Sequence, residues 1–427
     1  MRLVHSFSPF EEICVLFDDD GTPVEVSVWR DCDLQTGALY IARATGFVGA
    51  GWFLDVGNGR SAYLNNPPFY LKPDGSLCRD KLTEGDRLIV RIVRPETTEK
   101  EAEATHKVTL SGRWSVLMPT QNVPVFSRRM KQQAADRLKL LAPNEGVLFR
   151  TAAQDAELDD IAAEIEDLKR KWRSLLSGND DRPGVFFKPD RDVFQFADQY
   201  RDVLSEVVTD DPEAAARLKK ENIPVSFEVR GVWRKERLDE VLDAAAAVRS
   251  PLPSGGSLIT QQTAACVCFD VNAGAGRVFE ANEEACPEVL RQIRLKGLGG
   301  QMIIDFAGRK EEKTLRRLIR GLKNENVFIS GVSTLGLVEI TVEKTRRSLF
   351  DVFSPEQKAV RFAADVVRLL WFASVSPEVT VFAPSAVLNL IRPYVGRLEK
   401  RLNAVVKTEV SENLRLEGIK DESPQCV

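Results

Sequence analysis

Two short apolar segments, each running into an aspartate, most constrain what this chain can fold into. Residues 265–269 lead into Asp270, and residues 302–304 lead into Asp305. A helical stretch separates the two segments, and a second helical stretch follows at about 310–323. Strands that are apolar throughout and alternate with helices are typical of a sheet covered by helices. The pattern predicts α/β architecture here, with the two carboxylates at strand ends.

The rest of the chain divides into segments of different periodicity. Residues 1–33 alternate as a β-hairpin, and residues 37–119 contain several short strands, which favour a small barrel. Apolar residues at three- and four-residue steps predict a helix over 158–175. The proline- and glycine-rich turn at 251–256 marks a domain boundary. Because 427 residues are too many for one core, we expect several domains.

Composition excludes several kinds of protein and site. No apolar run is long enough to span a membrane, and the first residues lack the apolar segment of a signal peptide, so we expect a cytoplasmic protein. The seven scattered cysteines predict reduced thiols. The net charge of −4 means that a polyanion would need a local basic patch. With only His5 and His106, catalysis would depend on carboxylates, lysine or a metal.

Asp270 and Asp305 are the candidate chemical centre. Neighbouring strands would bring their carboxylates together, and clustered oxygen ligands suit Mg²⁺ or Mn²⁺. A metal at this place could polarise a phosphodiester and lower the pKa of an attacking water. In the alternative interpretation, strand-end aspartates are helix N-caps or loop residues. Periodicity alone favours this simpler alternative.

Four motifs lie around the aspartates. In chain order they are Leu252–Gly256, Asp270–Asn272, Arg291–Gly300 and Ile303–Phe306. Together they resemble the catalytic segment of the ribonuclease E/G family. The resemblance implies that Asp270 and Asp305 bind Mg²⁺ (or Mn²⁺) and that Asn272 assists them in catalysis. It also implies cleavage of single-stranded RNA by water, leaving a 5′-phosphate and a 3′-hydroxyl.

The resemblance extends to an RNA-binding domain upstream. Residues 37–64 look like the family's OB-fold domain, in which two aromatic side chains stack on bases, and the matching positions are Phe53 and Tyr63. Lys100 stands in the place of a family lysine that grips RNA. The alternatives are that both aromatics belong to the barrel core and that the lysine is merely solvated.

A third segment, residues 148–153, is similar to the part of the family that binds the 5′-monophosphate of RNA. The resemblance implies phosphate contacts from Arg150 and Thr151, with Arg128 and Arg129 as a nearby basic pair. A surface arginine next to a threonine has no such meaning by itself.

Several positions depart from the family pattern. A glycine turn in the 5′-sensing pocket is replaced by residues 124–126, which predicts a pocket that does not discriminate between 5′ ends. A family glutamate before Asp270 is missing, the loop after Asn272 is shorter, and residues 333–346 are less basic. The cysteine segment that shares zinc between subunits is absent, so we expect neither zinc nor a zinc-linked tetramer, while a homodimer stays open. We interpret Cys266 and Cys268 as core residues.

The sequence therefore predicts a multidomain protein of α+β and α/β structure. The resemblance implies a ribonuclease H-like domain in two parts (1–35 and 216–248), an inserted OB-fold RNA-binding domain (36–119), a helical 5′-sensor-like region (120–215), a DNase I-like catalytic domain (249–352) and a small C-terminal domain with a disordered tail (353–427). The predicted function is Mg²⁺-dependent endonucleolytic cleavage of single-stranded RNA in RNA processing or decay. The alternative, supported by the departures, is an RNA-binding relative with weak or no nuclease activity.

Overall fold

The structure is a computed structural model that describes residues 1–97, 100–178, 181–308, 312–324 and 326–420. Three antiparallel strands begin the chain. They are β1 (Arg2–Phe7), β2 (Glu11–Phe17) and β3 (Pro23–Arg30). Every residue of β2 is buried, because apolar clusters cover both faces of the sheet to which it belongs. The chain divides into two units, one made of residues 1–33 and 190–427 and the other of residues 34–189. The end expected to be disordered is residues 420–427, of which all but Lys420 lie outside the described residues.

A closed barrel forms the centre of the unit 34–189. Its strands, with a short hairpin, are β4 (Leu39–Val48), β5 (Gly51–Asp55), β6 (Ser61–Asn65), β7 (Tyr70–Leu71), β8 (Leu77–Cys78), β9 (Arg87–Arg94) and β10 (Ala102–Thr105). β4, β5, β6, β10 and β9 pair in this order, and β9 pairs back onto β4, which closes five strands. Apolar side chains at alternating positions, such as Leu54, Leu64 and Val90, fill the interior. This topology is compatible with the predicted OB-like domain.

A four-stranded sheet and two helices complete this unit. The elements are β11 (Leu110–Ser111), β12 (Ser115–Leu117), β13 (Val125–Phe126), α1 (Gln132–Leu138), β14 (Val147–Phe149), α2 (Leu158–Ser177) and β15 (Gly184–Phe187), of which β15 joins β4. α2 buries the predicted stripe of Ile161, Ile165 and Leu168. β13 and β14 run parallel, so the residues that follow them meet at one edge of the sheet.

The next segment returns to the first sheet. Its elements are α3 (Asp192–Gln199), β16 (Glu206–Thr209), α4 (Pro212–Lys220), β17 (Val225–Phe227), α5 (Val232–Lys235) and α6 (Leu238–Ala246). The strand order is β17-β16-β1-β2-β3, with β16 parallel to β1. α4 begins where it does because the Asp211 carboxylate accepts two backbone N–H groups and Pro212 occupies the first turn.

A six-stranded mixed sheet carries the two aspartates. Its strands and helices are β18 (Arg249–Pro251), β19 (Ser257–Gln262), β20 (Val267–Asn272), α7 (Val278–Lys296), β21 (Gly300–Asp305), α8 (Glu312–Gly321), β22 (Val327–Val332) and β23 (Val338–Val342). The order is β18-β19-β20-β21-β23-β22. The predicted alternation of strand and helix holds for β20, α7, β21 and α8, and β20 and β21 are the parallel pair. The remaining pairings are antiparallel, which the apolar pattern did not predict.

Helices around a three-stranded sheet form the last segment. The elements of this segment, helices and strands together, are α9 (Leu349–Val352), α10 (Lys358–Phe372), β24 (Val375–Ala383), α11 (Ser385–Ile391), α12 (Val395–Leu402), β25 (Val405–Val410) and β26 (Arg415–Ile419). The prediction of a multidomain protein with both helices and sheets is confirmed. Among the described helices, none combines the length and the apolar character needed to cross a membrane.

A buried ionic cluster joins the N-terminal strands to the C-terminal helices. Both oxygens of the Glu11 carboxylate are used, since Arg30 Nε donates to Oε1 over 2.8 Å and Arg368 donates to Oε2. Arg30 also donates to the carbonyl oxygen of Val352, and the Arg368 guanidinium lies 3.6 Å from the ring centroid of Trp233. The three ionic side chains are buried, so each charge depends on its partners rather than on water.

Candidate metal centre and nucleic-acid surfaces

The two aspartates lie side by side at the ends of β20 and β21. The parallel register pairs Asp270 with Asp305, and both side chains are exposed. Phe269 and Ile304, their neighbours in sequence, point into the core on the opposite face. Because adjacent strands are about 4.8 Å apart, two side chains on the same face of paired positions project next to each other. The structure thus brings together the two carboxylates that the sequence singled out.

An open cavity of about 370 Å³ lies over this pair. Its walls are residues 270–273 and residues 305–308, the segments that end the two strands. Asn272 lines it as well, and its Nδ2 donates to Asp270 Oδ2 over 2.8 Å. The amide therefore fixes the orientation of one carboxylate, which is a role for Asn272 that needs no contact with a ligand.

The donor set of this cavity suits a hard divalent cation. Mg²⁺ is commonly held by one or two carboxylates and keeps several waters, and an open cavity leaves room for them. The described residues that line the cavity include no thiol or imidazole, the groups that softer metals prefer. These residues fit Mg²⁺ or Mn²⁺, and Asp270 and Asp305 are the two carboxylates of the cavity that could hold such an ion.

Asn282, which the sequence reading missed, holds one wall of the cavity in place. It is buried on α7, where its Oδ1 accepts the backbone N–H of Ala307 over 2.8 Å and its Nδ2 donates to the Ala307 carbonyl over 3.1 Å. This double hydrogen bond fixes the backbone two residues after Asp305. A signal was available, because Asn282 is a polar residue beside Ala281 and Ala285 on the apolar side of the helix.

The turn of residues 252–256 packs against the loop on the other side of the cavity. A Cβ atom on Gly256 would stand 2.5 Å from the carbonyl oxygen of Asn272, and one on Gly276 would stand 2.7 Å from that of Ser254. Glycine is thus required for the close approach of the two backbones. The turn therefore packs closely against the loop that follows the Asp270–Asn272 motif.

Phe53 and Tyr63 form an aromatic pair on the outer face of the barrel. They are cross-strand partners on β5 and β6, both half-buried, with ring centroids 5.6 Å apart and planes at 70°. Trp52 and Leu64, their neighbours, point into the core instead. Gly51 leaves space for the Tyr63 ring, since a Cβ atom there would lie 2.7 Å from it. Lys100 is exposed, and its backbone N–H donates to Thr97 Oγ1.

The basic segments of the sensor-like region meet at one edge of their sheet. Phe126 pairs with Phe149 in parallel, so Arg128 and Arg150 both follow strand ends, and both are exposed. Thr151 Oγ1 lies 2.7 Å from Ser127 Oγ, a hydroxyl that the sequence reading did not select. Arg129 is exposed on the same turn. The backbone N–H of Ser127 donates to the Phe149 carbonyl, so this donor is already used within the protein.

The interpretation of Cys266 and Cys268 as core residues is wrong. Both are half-buried, and their sulfurs lie 3.8 Å apart. The reason is alternation along the chain, which directs Val267 and Phe269 of β20 into the core. Cys268 of β20, and Cys266 just before the strand, therefore lie on the other face.

His5, Glu12 and Cys14 place potential metal-binding atoms within 4.8 Å of one another, but other contacts occupy them. His5 Nδ1 lies 2.7 Å from the Thr209 hydroxyl, while its Nε2 lies 3.1 Å from Glu12 and 3.4 Å from the Arg191 guanidinium. Burial raises the pKa of the Cys14 thiol. Burial would also raise the pKa of Glu12, but His5 and Arg191 outweigh it and lower this pKa to about 2. A guanidinium at this distance disfavours a second cation, so the group is a buried polar network.

These features define a class of protein, in which one unit contains a small β-barrel and the other contains a mixed sheet with paired carboxylates at its strand ends. Comparison with known proteins gives the family. The sequence model of the Ribonuclease E/G family matches residues 109–345, more than half of the chain, and the chain belongs to this family.

Curated relatives agree with this assignment. Ribonuclease E of Synechocystis sp. is 26% identical over 368 residues, which cover 76% of this chain and 55% of that protein. Ribonuclease G of Escherichia coli K12 is 27% identical over 399 residues, covering 81% of this chain and 80% of that protein. Ribonuclease G of Haemophilus influenzae is 27% identical over 367 residues, covering 71% of each chain. The chain thus spans only about half of the ribonuclease E it matches.

Proposed function

We propose that this protein is an endoribonuclease that depends on Mg²⁺ (or Mn²⁺) and cleaves single-stranded RNA in the cytoplasm. The observation that carries the proposal is the pairing of Asp270 with Asp305 at the open cavity. The named activity of the relatives supports it.

In this proposal the residues of the cavity have separate roles. Asp270 and Asp305 hold the cation, and Asn272 orients the Asp270 carboxylate through its 2.8 Å hydrogen bond. When bound, a divalent cation neutralises charge on the phosphodiester and lowers the pKa of an attacking water. Asn282 keeps the backbone after Asp305 in position. Attack by water then leaves a 5′-phosphate and a 3′-hydroxyl on the products.

The proposed domain arrangement follows the family resemblance. The barrel supports an OB-fold domain, and the order β17-β16-β1-β2-β3, with the first two strands parallel to β1, supports a ribonuclease H-like domain into which residues 34–189 are inserted. This sheet includes β16, which favours a second part of that domain that starts before residue 216. The six-stranded sheet would be the DNase I-like catalytic domain.

The decisive experiment incubates the purified protein with an end-labelled single-stranded oligoribonucleotide, once with Mg²⁺ and once with EDTA. We expect internal cleavage with Mg²⁺ and none with EDTA, and we expect the downstream product to carry a 5′-phosphate. Binding without cleavage under both conditions would favour the alternative, an RNA-binding relative that has lost activity. Cleavage that persists in EDTA would contradict the metal site.

Replacing Phe53 or Tyr63 with alanine is expected to weaken single-strand RNA binding by about 1–3 kcal/mol each, because each ring stacks on a base. Fluorescence anisotropy with a labelled oligonucleotide measures the change. Phe328→Ala is the matched control, since Phe328 is an exposed aromatic residue outside the barrel. Unchanged affinity together with a lower free energy of unfolding would mean that the two rings only stabilise the barrel.

We further expect cleavage to depend little on the 5′ end of the RNA. Pro124 lacks a backbone donor, the Ser127 N–H is bonded to Phe149, and the Thr151 hydroxyl is paired with that of Ser127. Cleavage rates should be compared on two oligonucleotides that differ only in having a 5′-hydroxyl or a 5′-monophosphate. The two rates should differ by less than about tenfold, which corresponds to about 1.4 kcal/mol of activation free energy. A larger preference for the monophosphate would show that Arg150 and its neighbours form a working sensor.

A further inference from the structure

Two thiols stand next to each other on the exposed face of the six-stranded sheet. The sulfurs of Cys266 and Cys268 are 3.8 Å apart, close enough for one thiol to donate to the other. Both side chains are half-buried rather than enclosed, so a small reagent can reach them. By contrast, the sulfur of Cys286 is buried, where it donates to the carbonyl oxygens of Asn282 and Leu318.

The backbone of Cys268 is fixed by pairing with two neighbouring strands, whereas the backbone of Cys266 lies in a turn. Cys268 is held within β20 between Gln261 of β19 and Ile303 of β21. Cys266 precedes the strand, in the turn that Thr263 closes by bonding to the Cys266 carbonyl. A change in the conformation of Cys266 would break its hydrogen bonds to Thr263, but it would break none of the residue pairings of β20 with β19 and β21.

We propose that Cys266 and Cys268 are a redox-active dithiol that closes to a reversible intrachain disulfide in the presence of a small-molecule disulfide. Positions two apart on a strand have Cα atoms about 6.6–6.8 Å apart, which is the upper end of the range for disulfides, about 4.4–6.8 Å. The sulfurs must approach to about 2.05 Å, and the turn at Cys266 can supply this movement. A bond at the edge of the allowed geometry is readily reduced, so the site is a switchable one and not a structural crosslink.

The chemistry with oxidised glutathione as the reagent runs in two exchanges. One cysteine thiolate attacks glutathione disulfide, forms a mixed disulfide and releases one glutathione thiolate. The second cysteine thiolate attacks the protein sulfur of this mixed disulfide and releases the second glutathione. The two thiol protons pass to the two glutathione molecules, so the protein is oxidised by two electrons and the reagent is reduced by two.

The test treats the folded protein with oxidised glutathione, blocks remaining thiols with N-ethylmaleimide and digests it with trypsin. Cys426, outside the described residues, is replaced with serine in every sample. The peptide of residues 250–277 contains both cysteines and no other. We expect it to lose two hydrogens and to carry neither glutathione nor maleimide, and we expect dithiothreitol to restore both thiols. The following peptide contains Cys286, whose pKa burial raises to about 12, and should remain unoxidised.

The single variants Cys266→Ser and Cys268→Ser are the matched controls. Each should stop at the mixed disulfide and retain one glutathione on the remaining cysteine. A wild-type peptide that keeps a glutathione adduct, or that does not react at all, would overturn the proposal. A disulfide that links this peptide to a second cysteine peptide in a single variant would likewise overturn it, because another thiol would then be the partner. None of these outcomes depends on whether the protein cleaves RNA.

Discussion

Replacing Asp270 with asparagine is expected to slow RNA cleavage by about 10³-fold and to leave RNA affinity nearly unchanged. A divalent cation contributes several kcal/mol to stabilising a reacting phosphodiester, and about 4 kcal/mol corresponds to a factor of about 10³ in rate. Asparagine keeps the shape of the side chain but removes the charge that holds the cation in the proposed metal site. Asp305→Asn should have a similar effect, because Asp305 is the paired position on the adjacent strand.

Single-turnover rates and anisotropy titrations on the same oligonucleotide separate the two effects. Asp243→Asn is the matched control, since it removes an identical charge from an exposed position on α6 and should change neither quantity. Because Asp270 is exposed, the variant should unfold at the same denaturant concentration as the wild type. Cleavage that remains within tenfold of the wild-type rate would exclude Asp270 as an essential ligand. A parallel loss of RNA binding would show that the carboxylate has a role in binding instead.

The sequence predicted the carboxylate pair because local patterns carry that information. Unbroken apolar strands place Phe269 and Ile304 in a core, and the residue after each must then point to the other face. The register between β20 and β21 is not a local property, yet a strand, a crossover helix (α7) and a second strand commonly come together as parallel neighbours, as they do here. The family motifs added the roles of the residues, which periodicity does not contain.

Contacts between distant parts of the chain could not be predicted in this way. The pairing of β9 with β4 closes the barrel, and the hydroxyl pair of Ser127 and Thr151 joins two turns, but neither leaves a pattern in the sequence. The error at Cys266 and Cys268 has another cause. Cysteine is among the most buried residue types, and this average outweighed the alternation that places both on the exposed face.

The ionic cluster around Glu11 was also beyond sequence reading, because its partners lie at positions 30 and 368. Glu11→Gln is expected to destabilise the unit of residues 1–33 and 190–427 by about 3–5 kcal/mol, the usual cost of removing one partner of a buried ion pair, although Arg368 keeps its second ion pair with Asp365. Urea unfolding measures this loss of free energy of unfolding, as the change in the midpoint concentration multiplied by the dependence of the free energy on urea concentration. As a control, Asp190→Asn breaks the bidentate pair with Arg217, which is exposed, and should cost less than about 1 kcal/mol.

The pH dependence of the Glu11→Gln effect tests whether charge is the cause. Burial opposes ionisation of Glu11, but Arg30 and Arg368 outweigh it and hold its pKa below the ordinary value of 4.5. The stabilisation is therefore complete above pH 4.5 and is lost as the pH falls through the lowered pKa of the folded state. The difference in free energy of unfolding between wild type and Glu11→Gln should therefore become smaller in acid. A difference that stays constant with pH would assign the loss to packing and not to charge.

Replacing all three charged residues at once separates the cost of an unpaired charge from the value of the cluster itself. In Glu11→Leu, Arg30→Met and Arg368→Met combined, none of these three charges remains buried without a partner, and apolar groups of similar size fill the space. Asp365 loses its ion pair with Arg368, but its side chain is half exposed to water. Such replacements of buried ion pairs are often neutral or stabilising, although here the contact of Arg368 with Trp233 is also lost. We therefore expect the triple variant to be more stable than Glu11→Gln. A triple variant that is less stable than the single one would mean that the cluster contributes net stability that apolar packing cannot replace.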